Sequence, residues 1–477
     1  MPDKPSFVFA VLNWNGVATT WKGDPLLDFS LPSLIAACQE YSGRGVVAVI
    51  DNASTDESVA YVESEYPGVR IIENENRYLF SYNDAASRFE EDVIVCVNSD
   101  IRVESNILGC LADVFRDDSV FSAGPDICDW DSLTGPTGYS GSRCVRIQYC
   151  RGRLFPVDVG GAVEKNLPAP HYVLGACAAY RRTYFRELGG FDEVYYPYFW
   201  EDCDIAVRAR QRGWKNIVDE RTRAYHLGRH SIDPTHVNPG PQHIHLRNEY
   251  IFFFASVKNI FYKAASFFYL CVHAFHYPYG SAFSYLKAFF MAWVRFLDKG
   301  KRFSSDLVRE FSNIDLNSST RAYIRMSVYF QAGSNSRSLA RAVDLASKEH
   351  DNEFLKYHIS RCILQNFAAL FRKRKYRTVL RWYRKIDQRL FSEEFLYIVA
   401  SSLRELRRSE KARAVYSRIT KIQNGNPRII GASWYHSAVL SQNESKKEDV
   451  LNMCRACLEY LPEHRKCREL LESLNSE

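Results

Sequence analysis

No apolar run in this 477-residue chain approaches the roughly 18 residues that suggest a membrane-spanning helix. The aromatic stretch 250–297 comes nearest, and Lys258, Lys263, His273, His276, Pro278 and Lys287 interrupt it. The first residues lack a basic region leading into an apolar run, so no secretory leader is expected. A cysteine framework is missing as well. Thirteen cysteines are scattered along the chain, with Cys454 and Cys457 the one close pair, a pattern of reduced thiols. Long disorder is excluded by 46% hydrophobic and 25% charged residues. These absences predict a cytoplasmic chain of two or three domains, whose membrane contact, if any, is peripheral and on the inner face.

What is present is unevenly charged. Residues 301–477 hold 33 Lys+Arg against 20 Asp+Glu, a net +13, and the rest of the chain is −7. The basic third favours acidic partners or is a solvated helical surface. Its densest cluster, Arg372, Lys373, Arg374, Lys375 and Arg377, reads as a solvated helix, and no nucleic-acid partner is expected.

The first hundred residues alternate strand and helix signals. Residues 7–12, 46–50, 70–72 and 93–97 are short apolar runs ending in polar turns, which reads as buried parallel strands. The β-α-β-α order predicts an open α/β sheet with ligands beyond the carboxyl ends of its strands. From about 120 to 170 the periodicity fades; Gly135, Pro136, Gly138 and Gly141 predict irregular or hairpin structure beside a cleft. Lysines among the aromatics of 250–297 fit an interfacial helix, or helices packed under the first domain. Beyond 301 the signals are helical and a repeat of 38 residues emerges: Leu396, Ala400, Ala412, Tyr416 and Ile419 return as Trp434, Ala438, Val450, Cys454 and Cys457. The pattern resembles a tetratricopeptide repeat, with both cysteines as core positions. Three segments are expected: a catalytic domain over 1–250, aromatic amphipathic helices over 251–300, and an all-α repeat domain over 301–477.

The chemistry concentrates in two acidic groups. Glu201, Asp202 and Asp204 stand between Gly189-Gly190-Phe191-Asp192 and His226, and Asn98-Ser99-Asp100 follows the apolar run 93–97. A proton-accepting carboxylate and a metal-binding imidazole in one segment indicate a metal-assisted transferase. Asp51, at a strand end, is suited to accept the imide N–H of uracil or thymine, with Asn13 lining the same pocket.

These motifs, with Asn13-Trp14-Asn15-Gly16, Asp51-Asn52-Ala53-Ser54-Thr55-Asp56, Gly175-Ala176-Cys177, Arg212-Gly213-Trp214 and His226, occur in the order seen in glycosyltransferase family 2. Over residues 5–250 the chain resembles those inverting enzymes of GT-A fold, especially the rhamnosyltransferase-like branch. The resemblance implies that Asn13, Asp51, Arg77, Ser99 and Asp100 bind the nucleotide. It makes Asp100 and His226 ligands of Mn²⁺ or Mg²⁺, with His230 an alternative, and Asp202 the general base beside Glu201. Glu201, Trp200 and Gly175 would face the acceptor; Asp204 is expected to cap the following helix. It further implies a UDP- or dTDP-sugar donor and a surface-polysaccharide or lipid-linked glycan acceptor. The helical domain is expected to recruit a partner or a second copy. Two departures stand out: Asn98 replaces the first Asp of the DXD motif, and Tyr78 stands where the family usually has Gly. The rivals are a protein glycosyltransferase, acting for example on flagellin, and a scaffold with an inactive transferase domain; the glycine- and arginine-rich start of nucleotidyl transferases is missing.

Overall fold

A strand apolar at every position must be covered on both faces. The computed structural model meets that demand for the runs at 7–12, 46–50 and 93–97. It describes residues 4–131, 135–136, 145–150, 153–158, 172–227, 241–268, 282–299, 335–348, 353–422, 427–442 and 445–476, apart from 22 and 265, together with Phe303, Leu307 and Met326. The stretch 137–144, part of the expected hairpin region, and His230 lie outside the described residues. The chain divides into two compact units, Met1–Leu316 and Asn317–Glu477.

Unit 1 is built on β1 (Phe7–Asn13), β2 (Gly45–Asn52), β3 (Arg70–Asn74), β4 (Val93–Asn98), β5 (Ile101–Val103), β6 (Val120–Asp131), β7 (Cys177–Arg181) and β8 (Lys215–His226). They join in one mixed sheet, ordered β3-β2-β1-β4-β7-β6-β8-β5. β1 lies between β2 and β4, all three parallel. β7 runs antiparallel to β4 and β6, and the short β5 antiparallel to β8.

Alternation along the strands divides the core in two. Phe7, Phe9 and Val11 face α1 (Leu26–Glu40), α2 (Ser58–Glu65) and α3 (Ile107–Val114) through Leu31, Val62 and Leu108. Val8 and Ala10 belong to the other core, with Cys203 and Ala206 of α4 (Glu201–Gln211), Phe252 of α5 (Pro241–Ser256) and Phe289 of α6 (Ala282–Lys299). α5 is apolar almost all round in its second half, and Tyr250 through Val257 are buried accordingly. Those aromatics are therefore core, and α5 runs through residue 250 without a break.

Unit 2 is helical wherever it is described, through α7 (Asn335–Lys348), α8 (Glu353–Arg372), α9 (Tyr376–Tyr383), α10 (Glu393–Glu405), α11 (Ser409–Ile419), α12 (Pro427–Ser441), α13 (Lys447–Tyr460) and α14 (Arg465–Ser476). From α10 on each helix packs against the next. Ala400, Ala412, Ala438 and Val450 are buried, and Cys454 and Cys457 lie in the core. The expected α/β domain followed by an all-α region is thus the architecture. No helix among the described residues is long and apolar enough to cross a membrane.

Candidate active site

The polar turns expected to hold ligands meet at the carboxyl ends of β1, β2 and β4, the place where parallel sheets bind them. Strand register sets Asn13 opposite Asp51. The Asn13 amide donates to Asp51 Oδ1 at 3.0 Å, and Ser54 donates to the same carboxylate through its hydroxyl at 2.5 Å and its backbone N–H at 2.9 Å. Asn13 Oδ1 is left buried with no hydrogen-bond partner among the described residues. Asp51 also lines a cavity of about 690 Å³ with Ala53, Glu73, Arg77 and Arg88. Arg77, expected at the diphosphate, lines this cavity with its guanidinium engaged by both oxygens of Asp84 at 2.8 Å and by Glu193.

A second set of contacts joins motifs that are far apart in sequence. The Asn98 backbone N–H donates to Ala176 O at 3.0 Å, and the backbone N–H of Gly175, one residue before Ala176, donates to Asp202 Oδ2 at 3.2 Å. Ser99 is buried between Asn98 and Asp100. Asp100 Oδ2 lies 3.2 Å from His226 Nε2, because β8 pairs with β5 in a register that brings His226 opposite Ile101. The triplet after β4, the Gly175 turn, the acid pair and the C-terminal histidine are therefore one constellation.

Within it the two carboxylates of the pair differ. Burial pushes the Glu201 carboxyl well above the usual range, and the neighbouring Asp202 adds to the rise; its Oε2 has no partner among the described residues. Asp202 is also raised by burial, against the opposing pull of the Gly175 and Cys203 amides, the latter donating to Oδ1 at 2.8 Å. It is the less buried of the two. Gly175, expected to line the acceptor, has the observed task of orienting this carboxylate: a Cβ there would stand 3.4 Å from Asp202 Oδ2.

Two expectations are corrected. Asp204 does not cap α4, which begins three residues earlier; its buried carboxylate accepts from Arg208 at 2.6 Å and Tyr195 at 3.2 Å. Arg208 also donates to Leu188 O and Gly190 O at 2.8 and 2.9 Å, which ties the helix to the Gly-Gly-Phe-Asp turn. That turn needs its glycine: Gly190 has φ +69°, and a Cβ would meet Asn83 Oδ1 at 2.3 Å. Trp200, expected to face the acceptor, is 4% exposed and packs on Phe252 and His245 with centroids 5.2 and 5.8 Å apart. Its ring belongs to the core because α5 lies over it.

Sequence reasoning missed Asn248. From the buried face of α5 its amide nitrogen lies 2.6, 2.8 and 2.9 Å from Tyr195 O, Tyr198 O and Phe199 O, so its two N–H groups are shared among three carbonyls. It clamps the segment that enters the acid pair, where Phe199 and Trp200 both hold φ of +76°, a strained conformation for such residues. Its Oδ1 accepts from Arg247 Nε at 2.9 Å, and nothing in the residue type announces the clamp, since the groups it donates to are backbone carbonyls. Asn248→Ala is expected to cost about 2–3 kcal/mol of unfolding free energy, read by denaturant titration, as three carbonyls lose their donor.

Asp100 and His226 offer one hard oxygen and one imidazole nitrogen side by side, a donor set that fits Mn²⁺ or Mg²⁺. No group of three His, Cys, Asp or Glu side chains able to hold a metal occurs among the described residues. The remaining positions of such an ion would fall to water and to diphosphate oxygens, as magnesium ordinarily arranges.

Comparisons with known proteins bear on this geometry. The family described as Glycosyl transferase family 2 matches residues 25–189. N-acetylglucosaminyl-diphospho-decaprenol L-rhamnosyltransferase of Mycobacterium tuberculosis is 26% identical over 237 residues, covering 45% of this chain and 76% of the relative. Among solved structures, GalNAc-T7 with UDP, GalNAc and Mn²⁺ shows 18% identity and a TM-score of 0.44, over 65% of this chain and 57% of that one. S. aureus TarS 1–349 with UDP-GlcNAc shows 14% identity and a TM-score of 0.41, over 72% of this chain and 92% of that one. The family match ends twelve residues before Glu201, and Gly175 inside it donates to Asp202 outside it; over residues 25–189 the chain carries a glycosyltransferase family 2 domain, and it is a glycosyltransferase.

Proposed function

We propose that this chain moves a sugar, with inversion, from a UDP- or dTDP-sugar to a hydroxyl of a lipid-linked or surface glycan, working in the cytoplasm at the inner face of the membrane. The observation that carries the reading is the pair of hydrogen bonds from Asn98 to Ala176 and from Gly175 to Asp202, which couples the donor-side triplet to an acceptor-side carboxylate. The lipid-linked acceptor in the mycobacterial relative's name supports the acceptor class.

In this mechanism Asp51 and Asn13 hold the base of the nucleotide, and Asp100 with His226 would hold a divalent metal, which would supply charge neutralisation to the diphosphate. Asp202 takes the acceptor hydroxyl proton as the new C–O bond forms opposite the breaking bond to diphosphate, and releases it to solvent after transfer. Glu201, driven toward its protonated form by burial, keeps a second negative charge away from the base and would donate to the acceptor.

Because Asp202 must be ionised to act, the acid limb of kcat/KM is expected to lie above the usual aspartate range and to disappear in Asp202→Asn. The linkage runs the same way. A carboxyl whose folded pKa is raised keeps its proton longer in the folded state, so stability falls as pH climbs from the unfolded toward the folded value. A limb at the ordinary aspartate position would remove burial from the account. The reading as a whole is tested by incubating the purified protein with nucleotide sugars and Mn²⁺, following hydrolysis and thermal shift with and without chelator. Metal-dependent stabilisation by UDP or dTDP species is expected, and no response to any nucleotide would overturn the proposal.

A further inference from the structure

Helix α6 is apolar on two faces, and only one of them is covered. Phe289, Ala292 and Phe296 are buried, with Phe289 and Phe296 against Phe254 at 5.2 and 6.0 Å. The other stripe, Phe290, Trp293, Val294 and Leu297, repeats the i, i+3, i+4, i+7 spacing and faces outward, Leu297 with 67% of its surface exposed. A second group adjoins it. Residues 260–264 and 266–268 are helical, with Phe261 79% and Phe268 64% exposed, and Phe267 reaches Phe289 at 5.5 Å to join the two. Of fourteen exposed large hydrophobic residues among those described, ten fall between Ile260 and Leu297, so the apolar surface is concentrated in one patch.

Charge selects what covers it. Between 257 and 299 the sequence carries Lys258, Lys263, Lys287, Arg295 and Lys299 against one acid, Asp298. A second copy would present the same basic face, and residues 301–477 are basic as well, at +13; the complementary partner is anionic. Aromatic and aliphatic side chains flanked by lysines suit the boundary of an anionic bilayer, where rings enter the acyl margin and ammonium groups reach the phosphates.

We propose that residues 258–268 and the outer stripe of α6 form the surface by which this enzyme seats on an anionic bilayer without crossing it. The functional meaning of that seating rests on the lipid-linked acceptor proposed above. From the same helix, Arg295 donates to Glu193 O at 2.8 Å, and α5 beside it clamps the segment that enters the acid pair. The seated helices thus hold the segment that carries the base, on an enzyme whose acceptor hydroxyl would be presented by the membrane.

The full chain is sedimented with vesicles of phosphatidylcholine, with and without phosphatidylglycerol, beside the variant Phe261→Ser/Phe290→Ser/Leu297→Ser, which leaves every charge in place. Wild type is expected to bind the phosphatidylglycerol vesicles, and the variant to bind them about tenfold or more weakly with unchanged melting and unchanged donor hydrolysis. Equal binding by the variant would overturn the proposal and assign the affinity to the basic region 301–477. Failure of wild type to bind would overturn it too, and a dimer that the variant converts to monomer in light scattering would make the face a contact between copies. Donor hydrolysis in the same samples separates the two readings: hydrolysis without vesicle binding sinks the docking surface alone, and absent hydrolysis sinks glycosyl transfer.

Discussion

Asp202→Asn is expected to lower sugar transfer by about 10²–10⁴-fold, the usual contribution of a positioned general base, while nucleotide binding by thermal shift persists. The nucleotide and metal groups are held by contacts that do not pass through this carboxylate: Asp51 by Asn13 and Ser54, and Asp100 by His226. Asn fits the same space but has one acceptor where Asp has two. With its oxygen on the Cys203 amide, its NH₂ would face the Gly175 N–H, donor against donor. That mismatch is local and worth about 1–3 kcal/mol, which the unfolding curve of the variant would register separately from the rate. Glu201→Gln is the companion measurement. Since burial favours the protonated form of Glu201, the amide mimics that form and transfer should change far less. A normal rate in Asp202→Asn, or equal losses in the two variants, would take Asp202 out of the mechanism.

Asp100→Asn carries the second large effect. If Asp100 and His226 hold a divalent ion at the diphosphate, removing the one formal negative charge of the pair should reduce kcat/KM on the order of 10²-fold or more, since Lewis-acid neutralisation is worth several kcal/mol. The requirement is sharpened by Asn98, which leaves the triplet with a single carboxylate. The Mn²⁺ concentration needed for half-maximal nucleotide-dependent stabilisation should rise in Asp100→Asn and in His226→Ala, and excess metal should restore part of the activity. An unchanged metal titration in both would dissolve the proposed pair and leave their 3.2 Å approach as a structural contact between β5 and β8.

How much of this was legible beforehand depended on whether the signal was local. β1, β2 and β4 were readable because their apolar runs are continuous and end in polar turns, and Asn13 with Asp51 followed from the ends of those runs. Trp200 was misread because its burial is decided by Phe252 and His245 of α5, a helix that ends in the stretch read either as interfacial or as packed under the first domain. Asp204 was misread because placing the helix start a few residues late turns a side chain that pairs with Arg208 into a cap. Asn248 could not be found at all, since a buried amide serving three carbonyls looks like any polar residue on an apolar helix. Tyr78 lay between these cases. The position has φ +53°, which explains why glycine suits it, and the tyrosine accepts a strain of about 1–2 kcal/mol. Its ring packs edge-on against Tyr196 at 5.5 Å and Tyr198 at 6.1 Å, so the added bulk braces the segment leading to the acid pair.

The pairing of β5 with β8 has a kinetic meaning. Ile101 and His226 are joined across more than a hundred residues, and such long-range contacts form late because the intervening chain must be ordered first. A nascent chain that has emerged only through β7 has the parallel strands β1 to β4 in hand and can assemble the Asn13–Asp51 pocket, yet it cannot bring His226 to Asp100. During synthesis, nucleotide recognition would therefore mature before the capacity for transfer, and a partly folded chain would hold donor without spending it.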